Sequence, residues 1–274
     1  MMLSSVEVNN ARENRIDKKF NELKKKGRKA LIAFITAGDP DINITINLVY
    51  KMVEGGADII EIGIPYSDPL ADGPIIQASS ARALKKGTKI DDIMSAVNII
   101  RQNTDVPLVY LAYYNSIYKY GMEKFLKNAK DSGIDGLIIP DLPLEERKDI
   151  KELSEKHDIY LIPLVAPTSN DRIKKICENG KGFVYCVSTK GVTGVRNSIE
   201  TDIEKYMDLV SKYTDLPKAI GFGISGPEMA KKFAPYCDGI IIGSAIVKMI
   251  SDSRNNDEIF DSVANFISSV KEVI

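Results

Sequence analysis

Eight short apolar runs recur along this 274-residue chain, each followed by a stretch of helical period. They are "KALIAFITAGD", "ADIIEIGIP", "PLVYLAYYN", "DGLIIPDLP", "IYLIPLVAP", "GFVYCVST", "KAIGFGIS" and "DGIIIGSA". Their apolar residues are continuous rather than alternating, which marks strands covered on both faces, as in parallel sheets. The segments between them, such as 91–102 ("DDIMSAVNIIRQ"), 145–156 ("EERKDIKELSEK") and 201–213 ("TDIEKYMDLVSKY"), read as crossover helices. Strand and helix alternating eight times predicts an α/β fold of the (β/α)8 TIM-barrel type, with a doubly wound open sheet as the alternative.

A helix over 13–26 precedes the first run, with Ile16, Phe20 and Leu23 on one face and Gly27 at its stop. It is expected to plug the bottom of the barrel, and residues 1–15 to form a poorly ordered polar tail or a lead-in to that helix. Near the other end, Phe260, Val263, Phe266, Ile267 and Val270 define an amphipathic helix suited to the outer ring. No linker or low-complexity stretch interrupts the pattern, so 1–274 is expected to be one domain, and 44% hydrophobic content suffices for its core. The formal net charge of −1, with both signs mixed along the chain, argues against nucleic acid as a partner. No apolar run approaches the ~20 residues of a membrane span, and the first residues lack a signal-peptide core. Cys177, Cys186 and Cys237 are dispersed and form no CxxC, which fits a reducing cytoplasm better than a disulfide framework or a cysteine-rich zinc site.

Barrel chemistry sits on the loops after the carboxyl ends of the strands, and this rule sorts the polar residues. His157, the only histidine, precedes the fifth run and Lys218 opens the seventh, so both belong to the structural face. Glu61 lies inside the second run, on one face with Ile59 and Gly63, pointing either to the lumen or to the helix layer. There it is either half of a buried ion pair or a carboxyl whose pKa desolvation raises toward neutrality, as proton transfer requires. Asp68 and Asp72 follow in "PYSDPLADGP", a loop that Pro65, Pro69 and Pro74 stiffen, although each aspartate alone is also an ordinary turn residue. Glycine turns close the last two runs at Gly221, Gly223 and Gly243, the last followed by Ser244, where barrels commonly bind phosphate. The sixth run leads into "STKGVTGVRNS", either a lid or an untied surface loop. Phe34, Tyr113, Tyr185 and Phe222, at strand ends, line a pocket for a flat aromatic substrate or simply fill the core.

The segment "EIGIPYSDPLADGP", joined in order by "FITAGDP", "YYN", "PDLPLEE", "LVAPTS", "GVTG", "GFGIS" and "GSA", resembles the tryptophan synthase α-subunit family from about residue 16 onward. Tyr66 stands where that family usually has phenylalanine. The resemblance implies a lyase that cleaves indole-3-glycerol phosphate to indole and glyceraldehyde 3-phosphate in tryptophan biosynthesis. It implies a β-subunit partner in an α2β2 heterotetramer, with pyridoxal phosphate only in that partner and no cofactor or metal in this chain. A stand-alone indole-releasing lyase and a catalytically weak activator subunit are the alternatives. By position it makes Glu61, Asp72 and Tyr185 catalytic, and Phe34, Leu111, Tyr113 and Phe222 the indole pocket. Gly194, Gly223, Gly243 and Ser244 become the phosphate site, Thr193 the lid residue, and Asp68 and Pro69 a loop facing the β subunit. With no lysine on a strand end for a Schiff base and no histidine cluster for zinc, acid–base catalysis by the two carboxylates is the expected route. Only Lys190, in the glycine-rich loop, complicates that expectation.

Overall fold

The computed structural model describes residues 13–187, 196–221, 223–253 and 255–274. Among these residues the strands are β1 (Ala30–Thr36), β2 (Ile59–Gly63), β3 (Leu108–Leu111), β4 (Gly136–Ile138), β5 (Tyr160–Leu161), β6 (Leu164–Val165), β7 (Val184–Val187), β8 (Lys218–Gly221) and β9 (Gly239–Ile242). The helices are α1 (Arg15–Lys25), α2 (Ile42–Glu54), α3 (Pro74–Lys85), α4 (Ile90–Arg101), α5 (Tyr114–Tyr120) and α6 (Met122–Ser132). They continue with α7 (Lys148–Lys156), α8 (Ile173–Cys177), α9 (Arg196–Ser211), α10 (Pro227–Phe233), α11 (Ser244–Asp252) and α12 (Asn256–Lys271).

Every pairing is parallel, in the order β5-β4-β3-β2-β1-β9-β8-β7-β6. The fifth apolar run appears as two short strands because Pro163 has no N–H to donate. Its chain still bridges both neighbours: the Ile162 amide donates to the Leu137 carbonyl at 2.9 Å and the Tyr185 amide donates to the Pro163 carbonyl at 2.8 Å. The two ends of the sheet are thus joined through residues 162 and 163, and the arrangement is the expected TIM barrel rather than an open sheet.

Alternation divides the strand residues into two cores. Leu31, Ala33, Ile35, Ile60 and Ile62 face the helices, while Ile32, Ile59, Val109, Ile138, Ala219 and Ile241 fill the lumen. Ile16, Phe20 and Leu23 of α1 join the lumen cluster, and the Phe20 ring lies 5.6 Å from that of Phe183. The plug is therefore apolar burial, worth roughly 1.5–3 kcal/mol per side chain. Asn14 caps α1 by accepting the Ile16 amide at 2.9 Å, Arg15 is already its first residue, and Gly27 ends it with φ +65°. Residues 1–12 of the expected tail lie outside the described residues.

Charged side chains buried at the bottom are used for structure. Lys271 of α12 bonds Asp58 at 2.6 Å, and the same Asp58 oxygen accepts the Leu31 amide at 2.8 Å. Asp135 takes Arg15 at 2.9 Å and Arg101 at 2.7 Å. His157 caps α7 and Lys218 bonds the Leu216 carbonyl at 3.3 Å, both at this lower face. On α12, Val263, Ile267 and Val270 are buried as expected, and Phe260 and Phe266 are half-buried at the edge of the outer core.

Candidate active site

Glu61 points into the lumen. Its strand register sets it between Phe34 on β1 and Val109 on β3, and it is 1% exposed. Neither carboxylate oxygen has a hydrogen-bond partner among the described residues, so the ion-pair alternative is not realised. An unpaired charge there would be costly, and the group responds by holding its proton. Burial pushes Glu61 up to about 8, and the negative charge of Asp72 adds to the rise.

Asp72 reaches the same space from the loop between β2 and α3. That loop is anchored at both ends. At its start the Ile64 amide donates to the Leu111 carbonyl at 2.8 Å. At its end α3 is fastened to β1: Thr36 and Ser79 hydroxyls lie 2.6 Å apart, and Arg82 donates to both oxygens of Asp39 at 2.8 and 2.6 Å. In the middle the Ala71 amide donates to the Tyr113 hydroxyl at 3.0 Å. Asp72 is half-buried; desolvation pushes it up to about 6, and a hydrogen bond with Tyr113 pulls the other way.

A cavity of about 290 Å3 opens over these two carboxylates. Phe34, Leu111 and Tyr185 line it, with Gly223, Gly243 and Ser244 along one side. The Phe34 ring is boxed between glycines of two other strand ends: a methyl group on Gly63 would come within 2.6 Å of it, and one on Gly243 within 3.1 Å. The Tyr185 ring likewise lies over Gly221, where a Cβ would meet its hydroxyl at 2.7 Å. Burial drives the Tyr185 phenol well above its usual value, and the charges of Glu61 and Asp72 raise it further. Gly223 has φ +76° and open space around it, while Ser244 is the first residue of α11, whose first-turn N–H groups have no intrahelical partner. Such a corner suits an anion.

Most of the expected site residues therefore meet around one cavity. Tyr113 does not line it. It stands behind the Asp72 loop, its ring stacked on Tyr66 at 4.9 Å, while Asn115 donates to the Tyr66 hydroxyl at 3.1 Å. Asp68 is exposed in the loop, but Pro69 is buried beneath it and Leu70 is 84% exposed. Thr193, Gly194, Phe222 and Lys190 lie outside the described residues. Sequence reasoning missed Ile75, Ile76, Ile224 and Ile241, which supply much of the apolar wall. Ile75 and Ile76 follow the stiffened loop directly, a signal of position that was available; Ile241 carries none, because it is one of three isoleucines in a row. The Thr36–Ser79 and Asp39–Arg82 contacts join residues 43 apart and were equally silent.

Comparison with known proteins places the chain by family and fold. The family model described as "Tryptophan synthase alpha chain" matches residues 20–274. A tryptophan synthase alpha chain from Thermoanaerobacter sp. is 68% identical over 261 residues, covering 95% of this chain and 100% of that one. One from Caldanaerobacter subterraneus subsp. tengcongensis is 63% identical over the same shares of the two chains. Among solved structures, a tryptophan synthase alpha chain from Legionella pneumophila superposes with a TM-score of 0.87 at 33% identity, covering 95% of this chain and 97% of that one. A Mycobacterium tuberculosis tryptophan synthase chain does so with a TM-score of 0.84 at 32% identity, covering 94% and 98%.

Proposed function

This chain belongs to the tryptophan synthase alpha chain family, and on that premise we propose that Glu61 and Asp72 divide the proton transfers of its reaction between them. The reaction is the lyase cleavage of indole-3-glycerol phosphate to indole and glyceraldehyde 3-phosphate. One observation carries the division of labour: two carboxyls in one cavity, the buried one pushed up to about 8 and the loop-borne one to about 6. At neutral pH Glu61 holds a proton and Asp72 does not, which is the pairing that acid and base roles need.

The steps balance. Asp72 accepts the proton of the indole nitrogen as Glu61 gives its proton to ring carbon C3, forming the indolenine. Glu61, now a carboxylate, takes the proton of the hydroxyl on the side-chain carbon next to the ring. The bond between that carbon and C3 breaks, its electron pair restores the ring, and the aldehyde forms. Asp72 returns its proton to nitrogen, so both groups end as they began. A carboxylate fixed beside the nitrogen stabilises the charge that develops there without solvent reorganisation. Phe34, Leu111 and Tyr185 hold the ring, with Phe222 assigned there by resemblance, and Tyr185 stands beside the reacting carbons. Gly223, Gly243 and Ser244 take the phosphate at the start of α11, with Gly194 joining them and Thr193 closing over the ligand.

The family relation also supports a β-subunit partner, which we place in an α2β2 assembly. Asp68 and the exposed Leu70 provide a charged and apolar contact for it. We further propose that the chain acts as one barrel domain in the cytoplasm, in keeping with three free thiols and a phosphorylated substrate. Among the described residues no helix is long and apolar enough to cross a membrane. The assay is turnover of indole-3-glycerol phosphate by Glu61→Gln and Asp72→Asn, with and without the β subunit. Each substitution is expected to cost about a hundredfold or more while the far-ultraviolet spectrum stays native. Near-normal turnover in either variant overturns its role, and full activity without the partner overturns the dependence on it.

A further inference from the structure

A second cavity, of about 250 Å3, lies on the outer wall between α7 and α8. Its origin is topological. The helix α8 is only five residues long, and beside the interrupted fifth strand the buried Ile159 and Pro163 with the half-buried Leu161 form an apolar floor. The rim is cationic: Arg147, Lys148, Lys151 and Lys175 stand against the carboxylates Glu145, Glu155 and Glu178, while Lys181 also lines it with its ammonium 5.6 Å from the Tyr160 ring. Of these acids Glu145 is already taken, both its oxygens lying 2.6 Å from Arg172.

Arg147 is the unusual member. It is half-buried, yet its guanidinium makes no hydrogen bond or ion pair among the described residues. Desolvation lowers its pKa, the neighbouring Cys177 thiol pulls it the other way, and the charge of Arg172 lowers it further; among the described residues no carboxylate offsets the loss. A guanidinium withdrawn from water without an acceptor is a standing cost, which a planar two-oxygen acceptor would remove. An apolar floor with a few charged groups at its edge is also the usual make-up of a small-molecule site.

We propose that this groove binds a small organic anion, with a compact apolar body against Leu161 and Pro163 and a carboxylate or phosphate on Arg147. The site is separate from the cleavage cavity and independent of the roles assigned to Glu61 and Asp72. The excess of cations over acids selects an anion, and a volume of about 250 Å3 suits a molecule of about one ring rather than an extended chain.

Amide-resolved NMR titration of the full chain with benzoate, phenyl phosphate and the neutral benzyl alcohol tests it. The expected result is saturable shifts of the Ile159, Leu161 and Ile176 amides with at least one anion, with benzyl alcohol about tenfold weaker or worse. Whichever anion binds more tightly identifies the headgroup as carboxylate or phosphate. Arg147→Gln should weaken that anion by about tenfold or more. Shifts confined to the cleavage cavity, equal binding of benzyl alcohol, or undiminished binding by Arg147→Gln would each overturn the proposal. If that variant does not fold, the comparison of anion with alcohol on the unaltered chain decides the matter.

Discussion

The hydroxyl of Tyr113 accepts the Ala71 amide at 3.0 Å, so the end of β3 holds the loop that carries Asp72 before any ligand arrives. Tyr113 is itself braced by the Tyr66 ring at 4.9 Å, and Tyr66 by Asn115 at 3.1 Å. Tyr113→Phe removes both the loop tether and the bond that lowers the Asp72 pKa. Activity should fall roughly ten- to hundredfold, and the acid limb of the pH–rate profile should move to higher pH. Tyr66→Phe keeps the stack and loses one hydrogen bond, so its kcat/KM should stay within about fivefold. An unmoved acid limb in Tyr113→Phe would show that the tether does not tune Asp72.

The two carboxyls predict a bell-shaped dependence of kcat/KM on pH. Asp72 must be ionised, so activity fails as pH falls through about 6; Glu61 must be protonated, so it fails as pH rises through about 8. Because the Asp72 charge helps to raise Glu61, the residual activity of Asp72→Asn should lose the acid limb and show an alkaline limb at lower pH. A profile flat from pH 5 to pH 9, roughly, would contradict both assignments.

Stability carries the same signature with a definite sign. The folded chain keeps the Glu61 proton up to about 8, whereas the ordinary value is 4.5. Between these values the folded state binds the extra proton, so Glu61 lowers stability progressively as pH rises and has no further effect above about 8. Glu61→Gln does not titrate there. Its stability relative to the unaltered chain should therefore increase from pH 5 to pH 8, by on the order of a few kcal/mol in denaturant unfolding. A constant difference would mean that Glu61 is ionised in the fold.

Gly63→Ala tests the box around Phe34. The added methyl would lie 2.6 Å from the ring, which must shift from its place in the cavity wall. KM should rise about tenfold, with stability lowered by about 1–3 kcal/mol. Gly73→Ala is the control: its φ is −76° and nothing lies within 4 Å of the new methyl. Its unfolding free energy should change by less than about 0.5 kcal/mol.

Leu70→Ser addresses the partner surface. The side chain is 84% exposed, so the isolated chain should keep its stability and its turnover. Activation by the β subunit should need several-fold more of the partner, as expected when an apolar contact is removed from an interface. Unchanged titration of the activation would move the docking surface away from this loop.

Much of the architecture was legible because its determinants are local. Continuous apolar runs mark strands buried on both faces, and Ile16, Phe20 and Leu23 mark one face of a helix, whatever the rest of the chain does. The split of the fifth strand was also written in Pro163, whose missing N–H cannot join a ladder. The placement of Tyr113 was not: a tyrosine at a strand end fits a pocket wall or a loop tether equally well until the loop is seen to reach it.

The sequence by itself determined the parallel α/β alternation, the helix below the barrel, and the positions of Glu61 on a strand and Asp72 on a stiffened loop. Only the tertiary structure decided that Glu61 faces the lumen, that its oxygens find no partner among the described residues, and that Asp72 approaches closely enough to raise its pKa further. It also decided that Phe34 lies between Gly63 and Gly243, and that the half-buried Arg147 guanidinium makes no hydrogen bond or ion pair among the described residues. These are relations between residues brought together from separate strands and helices. They set desolvation and electrostatic fields, which depend on distance through space, whereas the repeating pattern of a strand or a helix depends only on neighbours along the chain.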